Sequence, residues 1–177
     1  MKIIVLDRDG VINQDSSQYI KSAKEWLPEP GSIEAIVKLK KAGWTVAIAT
    51  NQSGIGRGYY SQKTLSTIHL KMQKMLAEQG AKVDWISYSP YVPANNSVCR
   101  KPLTGMLRAI ENRYNMSLKG VIMIGDSLAD IQVALANNMQ PILVKTGKGN
   151  KTLASQESCL QGVPVFNNLL AAVEGLL

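Results

Sequence analysis

The chain has 177 residues, enough for one domain with a continuous core, and its 45% hydrophobic and 19% charged residues exclude a disordered chain. Lys and Arg number 20 against 13 Asp and Glu, a formal +7, but these bases are spread without a cluster or interleaved aromatics, so the expected partner is a small phosphorylated metabolite rather than nucleic acid. No apolar run approaches the roughly 20 residues that cross a bilayer. The opening Met1 to Asp7 stretch meets an aspartate before a signal-peptide core could form, so a cytoplasmic protein, a monomer by default, with free thiols at Cys99 and Cys159 is expected.

The first predicted element is a strand at Ile3 to Leu6. A helix follows where Ile33, Ile36, Val37 and Leu39 repeat at helical spacing, starting after Pro30-Gly31-Ser32 and stopping at Gly43. Strand and helix then alternate: Val46 to Thr50, Gln62 to Gln79, Trp85 to Ser89, Thr104 to Tyr114, Val121 to Ile124, Leu128 to Asn138 and Ile142 to Val144. The strands are continuous apolar runs, as in parallel strands covered on both faces. The fold expected is a single α/β domain over residues 1–177, a three-layer α/β/α, Rossmann-like parallel sheet with right-handed crossovers.

Ligands in such sheets sit beyond the carboxyl ends of the strands. The ends here read Asp7-Arg8-Asp9-Gly10, Thr50-Asn51-Gln52-Ser53-Gly54, the approach to Arg100-Lys101-Pro102, and Gly125-Asp126-Ser127-Leu128-Ala129-Asp130. An isolated pair such as Asp7 and Asp9 reads equally as turn formers or helix caps. With Asp126 ending another strand, three acids are expected to converge on one point, which requires a hard cation, and magnesium keeps positions for water and a substrate phosphate. Asp7 then suits a nucleophile toward phosphorus and Asp9 an acid and base. Thr50 and the amides of Asn51 and Gln52 offer donors to phosphoryl oxygens, and Lys101 offers a positive charge. Asp130 reads equally as an exposed acid in the first helical turn or as a group behind the metal ligands.

These pieces, in this order, resemble the haloacid-dehalogenase-like phosphatases over essentially the whole chain. The resemblance implies Asp7 as nucleophile, Asp9 as acid/base, and magnesium held by Asp7, Asp126 and the backbone carbonyl of Asp9. Within that superfamily, Asp7 to Asn13, Thr50 to Gly58 and Cys99-Arg100-Lys101-Pro102 resemble the D-glycero-D-manno-heptose 1,7-bisphosphate 7-phosphatases, with histidinol-phosphatases as near relatives. The stretch from Gly10 to Thr50 is too short for an inserted cap domain, in keeping with a capless fold. The resemblance places a substrate loop at Asp15 to Tyr19, makes Arg100 the substrate-recognition arginine, and adds Asn51, Gln52 and Ser53 to the substrate-binding set.

Three positions depart from that pattern. The zinc loop of the family, C-x-H followed by C-x-C, corresponds here to Ser89-Pro90-Tyr91 and Ser97-Val98-Cys99, so zinc is not expected and packing of Tyr91, Val92 and Pro93 is expected to hold this segment. The family's lysine after the fourth-motif aspartate is Ser127, and the substrate loop is longer than the family's D-x-G-Y. His69, the only histidine, reads as a surface residue, and Trp26, Trp44 and Trp85 as packing anchors. Two other readings stand beside a small-molecule phosphatase. A phospholigand-binding module without catalysis has no use for Asp9 beside Asp7, and a nucleic-acid 3′-end phosphatase would lose activity steeply with salt.

Overall fold

The computed structural model describes all 177 residues. Six strands form one parallel sheet in the order β3-β2-β1-β4-β5-β6: β1 Ile3–Leu6, β2 Thr45–Asn51, β3 Trp85–Ser89, β4 Ile122–Gly125, β5 Gln140–Val144 and β6 Val165–Phe166. The helices are α1 Ser32–Lys41, α2 Ser53–Gly56, α3 Gln62–Ala77, α4 Gly105–Tyr114, α5 Leu128–Ala136, α6 Gly149–Ala154 and α7 Leu169–Glu174. The α/β fold class is as expected. β6, α2, α6 and α7 were not anticipated, because each is too short to show a period.

The pleat sorts the apolar strand residues between two cores. Ile4 and Leu6 of β1 and Val46 and Ile48 of β2 face a core of 24 buried residues completed by Ile36 and Leu39 of α1, Ile68 and Met72 of α3, and Val173 of α7. Ile3, Val5, Ala47 and Ala49 face the opposite core of 12, closed by Leu107 and Ile110 of α4 and Val133 of α5. β1 and β4 are neighbours although four α-helices and two strands separate them in the chain. The strand order reverses between them, and the crevice at such a switch point is where Asp7 and Asp126 emerge.

The segment between β3 and α4 is held differently from the expectation. Tyr91 and Pro93 are exposed, so their packing cannot anchor it. Backbone bonds do so instead: Gly56 N–H donates to Pro90 O (2.9 Å), Gly105 N–H donates to Val98 O (2.8 Å), and the Asn51 side chain both accepts from Lys101 N and donates to Lys101 O.

Candidate active site

The floor of the site is built where β1 and β4 stop. Asp7 Oδ1 accepts from the Arg8 backbone N–H at 2.7 Å and lies 3.0 Å from Lys101 Nζ, which leaves Oδ2 without a protein partner. Lys101 is buried and spends its remaining hydrogens on Ala49 O (2.7 Å) and Asp130 Oδ1 (2.5 Å). Burial opposes its charge, but Asp130 and Asp7 outweigh that and raise its pKa above the usual lysine range. Asp130 is not an exposed helix acid: it is 1% exposed, and its Oδ2 accepts from Ser127 N–H and Oγ–H, the N-cap residue of α5. Ser127, standing where the family carries a lysine, is thus used as a helix cap.

Asp126 accepts from the Lys148 backbone N–H at 2.7 Å and is walled by two glycines. Gly10 and Gly147 have φ of 78° and 56°, and a Cβ on either would collide with the Asp126 carboxylate. Thr146 Oγ1 donates to Gly10 O at 2.6 Å and ties these two loops together.

Asp9 stands apart from this cluster, which corrects the expectation that three acids converge with Asp7. Its Oδ1 accepts from Arg8 Nε (3.3 Å), Arg8 Nη2 (2.8 Å) and Asn13 Nδ2 (2.9 Å), and its Oδ2 from Gln52 Nε2 (2.8 Å). Burial alone would raise its pKa, but these donors, Arg8 first among them, hold it below the usual carboxylate range. The third carboxylate near Asp7 and Asp126 is Asp130. Arg8, fully buried, also donates to Gln52 Oε1, and its Nη1 lies 3.2 Å from His69 Nε2. His69 is therefore half buried against Arg8 rather than a surface residue. Burial and then the charge of Arg8 press its pKa down to about 4.

Several predicted donors are already occupied. Gln52 N–H donates to Ser89 O (2.7 Å), so this amide is not free for a phosphoryl oxygen. The Gln52 side chain donates to Asp9 and Thr50 Oγ1 and accepts from Arg8 and Tyr60, so it braces the site rather than reaching for substrate. Thr50 is buried beneath it, and the Asn51 side chain is spent on Lys101. Asp15, Tyr19, Ser53 and Arg100 line a cavity of about 580 Å³ together with Asp7, Asp9, Lys101 and Asp126. Tyr19 adopts φ 64°, a strained value for its bulk, and packs edge-on against Tyr59 with ring centroids 5.1 Å apart.

Arg57, Tyr60 and Lys148 also line this cavity and were missed. A basic residue inside the glycine run Gly54 to Gly58 was the available signal for Arg57, and one between Gly147 and Gly149 for Lys148. Nothing local marks Tyr60. Burial, followed by the neighbouring charge of Arg57, lowers the Arg100 pKa, and neither guanidinium pairs with a carboxylate. Lys148 Nζ lies 3.5 Å from Asp15 Oδ2 and so joins the loop from Asp15 to Tyr19 to the loop after β5.

Whether these residues fit a cation can be judged from Asp7 and Asp126. Burial, and after it the charge of Asp130, pushes Asp7 up to about 7; burial and then Asp7 push Asp126 up to about 8. Two buried carboxyls that resist ionising side by side, with open oxygens facing a polar cavity, suit a hard cation that accepts one or two carboxylates and keeps waters. Magnesium fits this donor set; Asp130, saturated by Lys101 and Ser127, has no oxygen to spare.

A HAD-hydrolase-like family model matches residues 98–172. The chain is 51% identical to the D-glycero-beta-D-manno-heptose-1,7-bisphosphate 7-phosphatase of Pseudomonas putida, with all of both chains covered. It is 50% identical to that of Bordetella bronchiseptica, covering 100% of this chain and 98% of the relative. A crystal structure of the D,D-heptose 1,7-bisphosphate phosphatase from B. bronchiseptica, complexed with magnesium and phosphate, superposes with a TM-score of 0.96 at 49% identity, covering 99% of this chain and 98% of the other. Across its whole length, and with its acids and bases set around one crevice, the chain belongs to the heptose-1,7-bisphosphate 7-phosphatase family of HAD-like hydrolases.

Proposed function

We propose that the chain is a magnesium-dependent phosphomonoester hydrolase that removes the 7-phosphate of D-glycero-D-manno-heptose 1,7-bisphosphate, in the β anomer named for its relatives, through an aspartyl-phosphate on Asp7. The observation that carries this reading is the distribution of charge in the cavity. Asp7 and Lys101 lie at its floor, and two guanidiniums without carboxylate partners, Arg57 and Arg100, stand on its wall. A sugar bisphosphate brings one phosphoryl group to the first pair and a second anion to the other.

Asp7 is held by Arg8 N–H and Lys101 through Oδ1, so Oδ2 is the oxygen presented to phosphorus. The bond from Asp7 to phosphorus forms as the bond to the sugar oxygen breaks, and a proton from Asp9 goes to that oxygen. Water then attacks phosphorus, the acyl phosphate opens to restore the Asp7 carboxylate, and Asp9 takes the proton. Asp9 rests ionised on Arg8, Asn13 and Gln52, so before acting as the acid it must leave Gln52, turn into the cavity and take up a proton from water there. Asp7, Asp126 and the Asp9 carbonyl would hold magnesium, which would supply the positive charge needed for an anionic carboxylate to approach an anionic phosphate. Zinc has no part in the proposal, because Cys99 Sγ is met by the hydroxyls of Ser97 (3.1 Å) and Ser89 (3.7 Å) rather than by further thiolates or imidazoles.

The test is phosphate release with magnesium from the heptose bisphosphate, histidinol phosphate and a nucleic-acid 3′-phosphate, compared by kcat/KM. The bisphosphate should exceed both alternatives by at least about 10²-fold, and Arg57→Ala should shrink that preference by roughly 10-fold, the worth of one charge-assisted hydrogen bond. Equal kcat/KM for all three substrates would refute the assignment.

A further inference from the structure

His69 is the sole histidine, stands on α3 and does not line the cavity. Its Nε2 lies 3.2 Å from Arg8 Nη1, and a guanidinium can only donate, so Nε2 accepts, the ring is neutral and its proton sits on Nδ1. Arg8 has no exposed surface, and its Nη1 has no other protein partner. Without His69 that N–H edge would be buried and unpaired, an arrangement proteins avoid. The opposite edge of the same rigid plane, Nε and Nη2, meets Asp9 and Gln52. One planar group is thus fixed at its far side by His69 and at its near side by the carboxylate. Burial and the adjoining Arg8 keep the ring unprotonated down to about pH 4, so the acceptor persists at working pH.

We propose that His69 is a positioning residue for the phosphatase reaction: by accepting from Arg8 it fixes the guanidinium plane, and through that plane the orientation from which the Asp9 carboxylate enters the proton transfers. This rests on Asp9 being the acid and base. His69 touches neither substrate nor metal ligand, so its effect falls on the chemical step and not on substrate binding. Conserving an acceptor at this position preserves the effect, whereas an apolar side chain of similar size abolishes it.

The experiment uses the full chain with magnesium and combines one spectrum with a set of variants. Nitrogen-15 NMR of the single histidine should show the Nδ1–H tautomer, the reverse of the form that dominates in free histidine side chains. His69→Leu should lower kcat about 10-fold, a fraction of the roughly 10²- to 10⁴-fold supplied by a placed proton-transfer group, with KM within about twofold. His69→Gln, whose amide oxygen can accept from Arg8, should retain at least about half of wild-type kcat and keeps the test open if the leucine variant does not fold. In an Asp9→Asn background, His69→Leu should change kcat by less than about twofold, since its route to the reaction is gone. An Nε2–H ring, wild-type kcat in His69→Leu, or the same loss with and without Asp9 would overturn the proposal. An Asp9→Asn variant with wild-type kcat would instead remove the acid/base reading, and the role of His69 with it, while the tautomer result would stand by itself.

Discussion

Asp7 and Asp9 are separated by a single residue, Asp7 is buried and Asp9 largely so, and their surroundings push them in opposite directions. Asp7 stands among Asp130 and Asp126 with Lys101 as its one compensating charge, and its pKa rises to about 7. Asp9 is turned to the other side of the chain, where Arg8, Asn13 and Gln52 hold it below the ordinary range. Burial raises both; what differs is whether hydrogen-bond donors or other carboxylates surround the group. The first environment asks for a cation and leaves an oxygen open, which suits a nucleophile beside a metal. The second stores a carboxylate on neutralising donors until it is needed for proton transfer. Two side chains of one chemistry thus acquire two roles from their neighbours, and each half of that contrast can be broken separately.

The largest effect should come from Asp7→Asn, which keeps the shape of the side chain but removes the nucleophile. Turnover should fall by at least about 10⁴-fold, and single-turnover assays should find no phosphoryl-enzyme. A variant that retains near wild-type kcat would refute covalent catalysis at Asp7. Asp9→Asn should cost roughly 10²- to 10⁴-fold in kcat, with the phosphoryl group still transferred to Asp7 from substrates whose leaving group needs no proton, such as an aryl phosphate. Equal losses on good and poor leaving groups would contradict the acid role.

The metal side of the comparison has a pH signature. Asp7 and Asp126 lie above their unfolded values, so the metal-free fold holds protons that the unfolded chain has shed, and their contribution to stability falls as pH rises from about 4 through about 8. Magnesium favours the ionised pair. The rise in Tm produced by adding magnesium to EDTA-treated protein should therefore widen across that window, and a gap independent of pH would show that these two carboxyls do not hold the ion. The smallest effect belongs to the rim. Lys148→Ala breaks a half-exposed pair with Asp15 and should cost no more than about 1 kcal/mol in denaturant unfolding. A loss of several kcal/mol would mean that the loop from Asp15 to Tyr19 is part of the folded core.

Most of the strands from β1 to β5 were readable as apolar runs flanked by turn residues, and β3, Trp85-Ile86-Ser87-Tyr88-Ser89, by large apolar residues alternating with serines. β6 has two residues and α7 six, too few for any period to show, although Asn168 caps α7 by accepting from Ala171 N–H. Asp7 and Asp126 could be named because each directly follows a strand, β1 and β4, and Lys101 because it stands between Arg100 and Pro102 in the loop between β3 and α4, in the order the family resemblance requires. The setting of Asp9 could not. It depends on Gln52, which is 43 residues away, and on Arg8, whose outer edge is met by a histidine 61 residues away. His69 looked like a surface residue because it adjoins the buried stripe of Leu65, Ile68, Met72 and Leu76 without belonging to it. Charge and periodicity are local properties, whereas a hydrogen-bonding network across three elements exists only once they are packed.

The hydrogen bond from Thr146 to Gly10 spans 136 residues. It joins the turn that follows the first strand to the turn that follows the fifth, and Gly10 and Gly147 enclose Asp126 only when both turns are present. During synthesis the ribosome releases Asp7 and Asp9 first, but the wall that seats Asp126 arrives some 140 residues later, after most of the sheet is available to pair. Closing so long a loop is entropically slow compared with forming the local helices. Competence to bind the ion should therefore be among the last properties a nascent or refolding chain acquires, appearing after secondary structure has formed and together with the docking of β5.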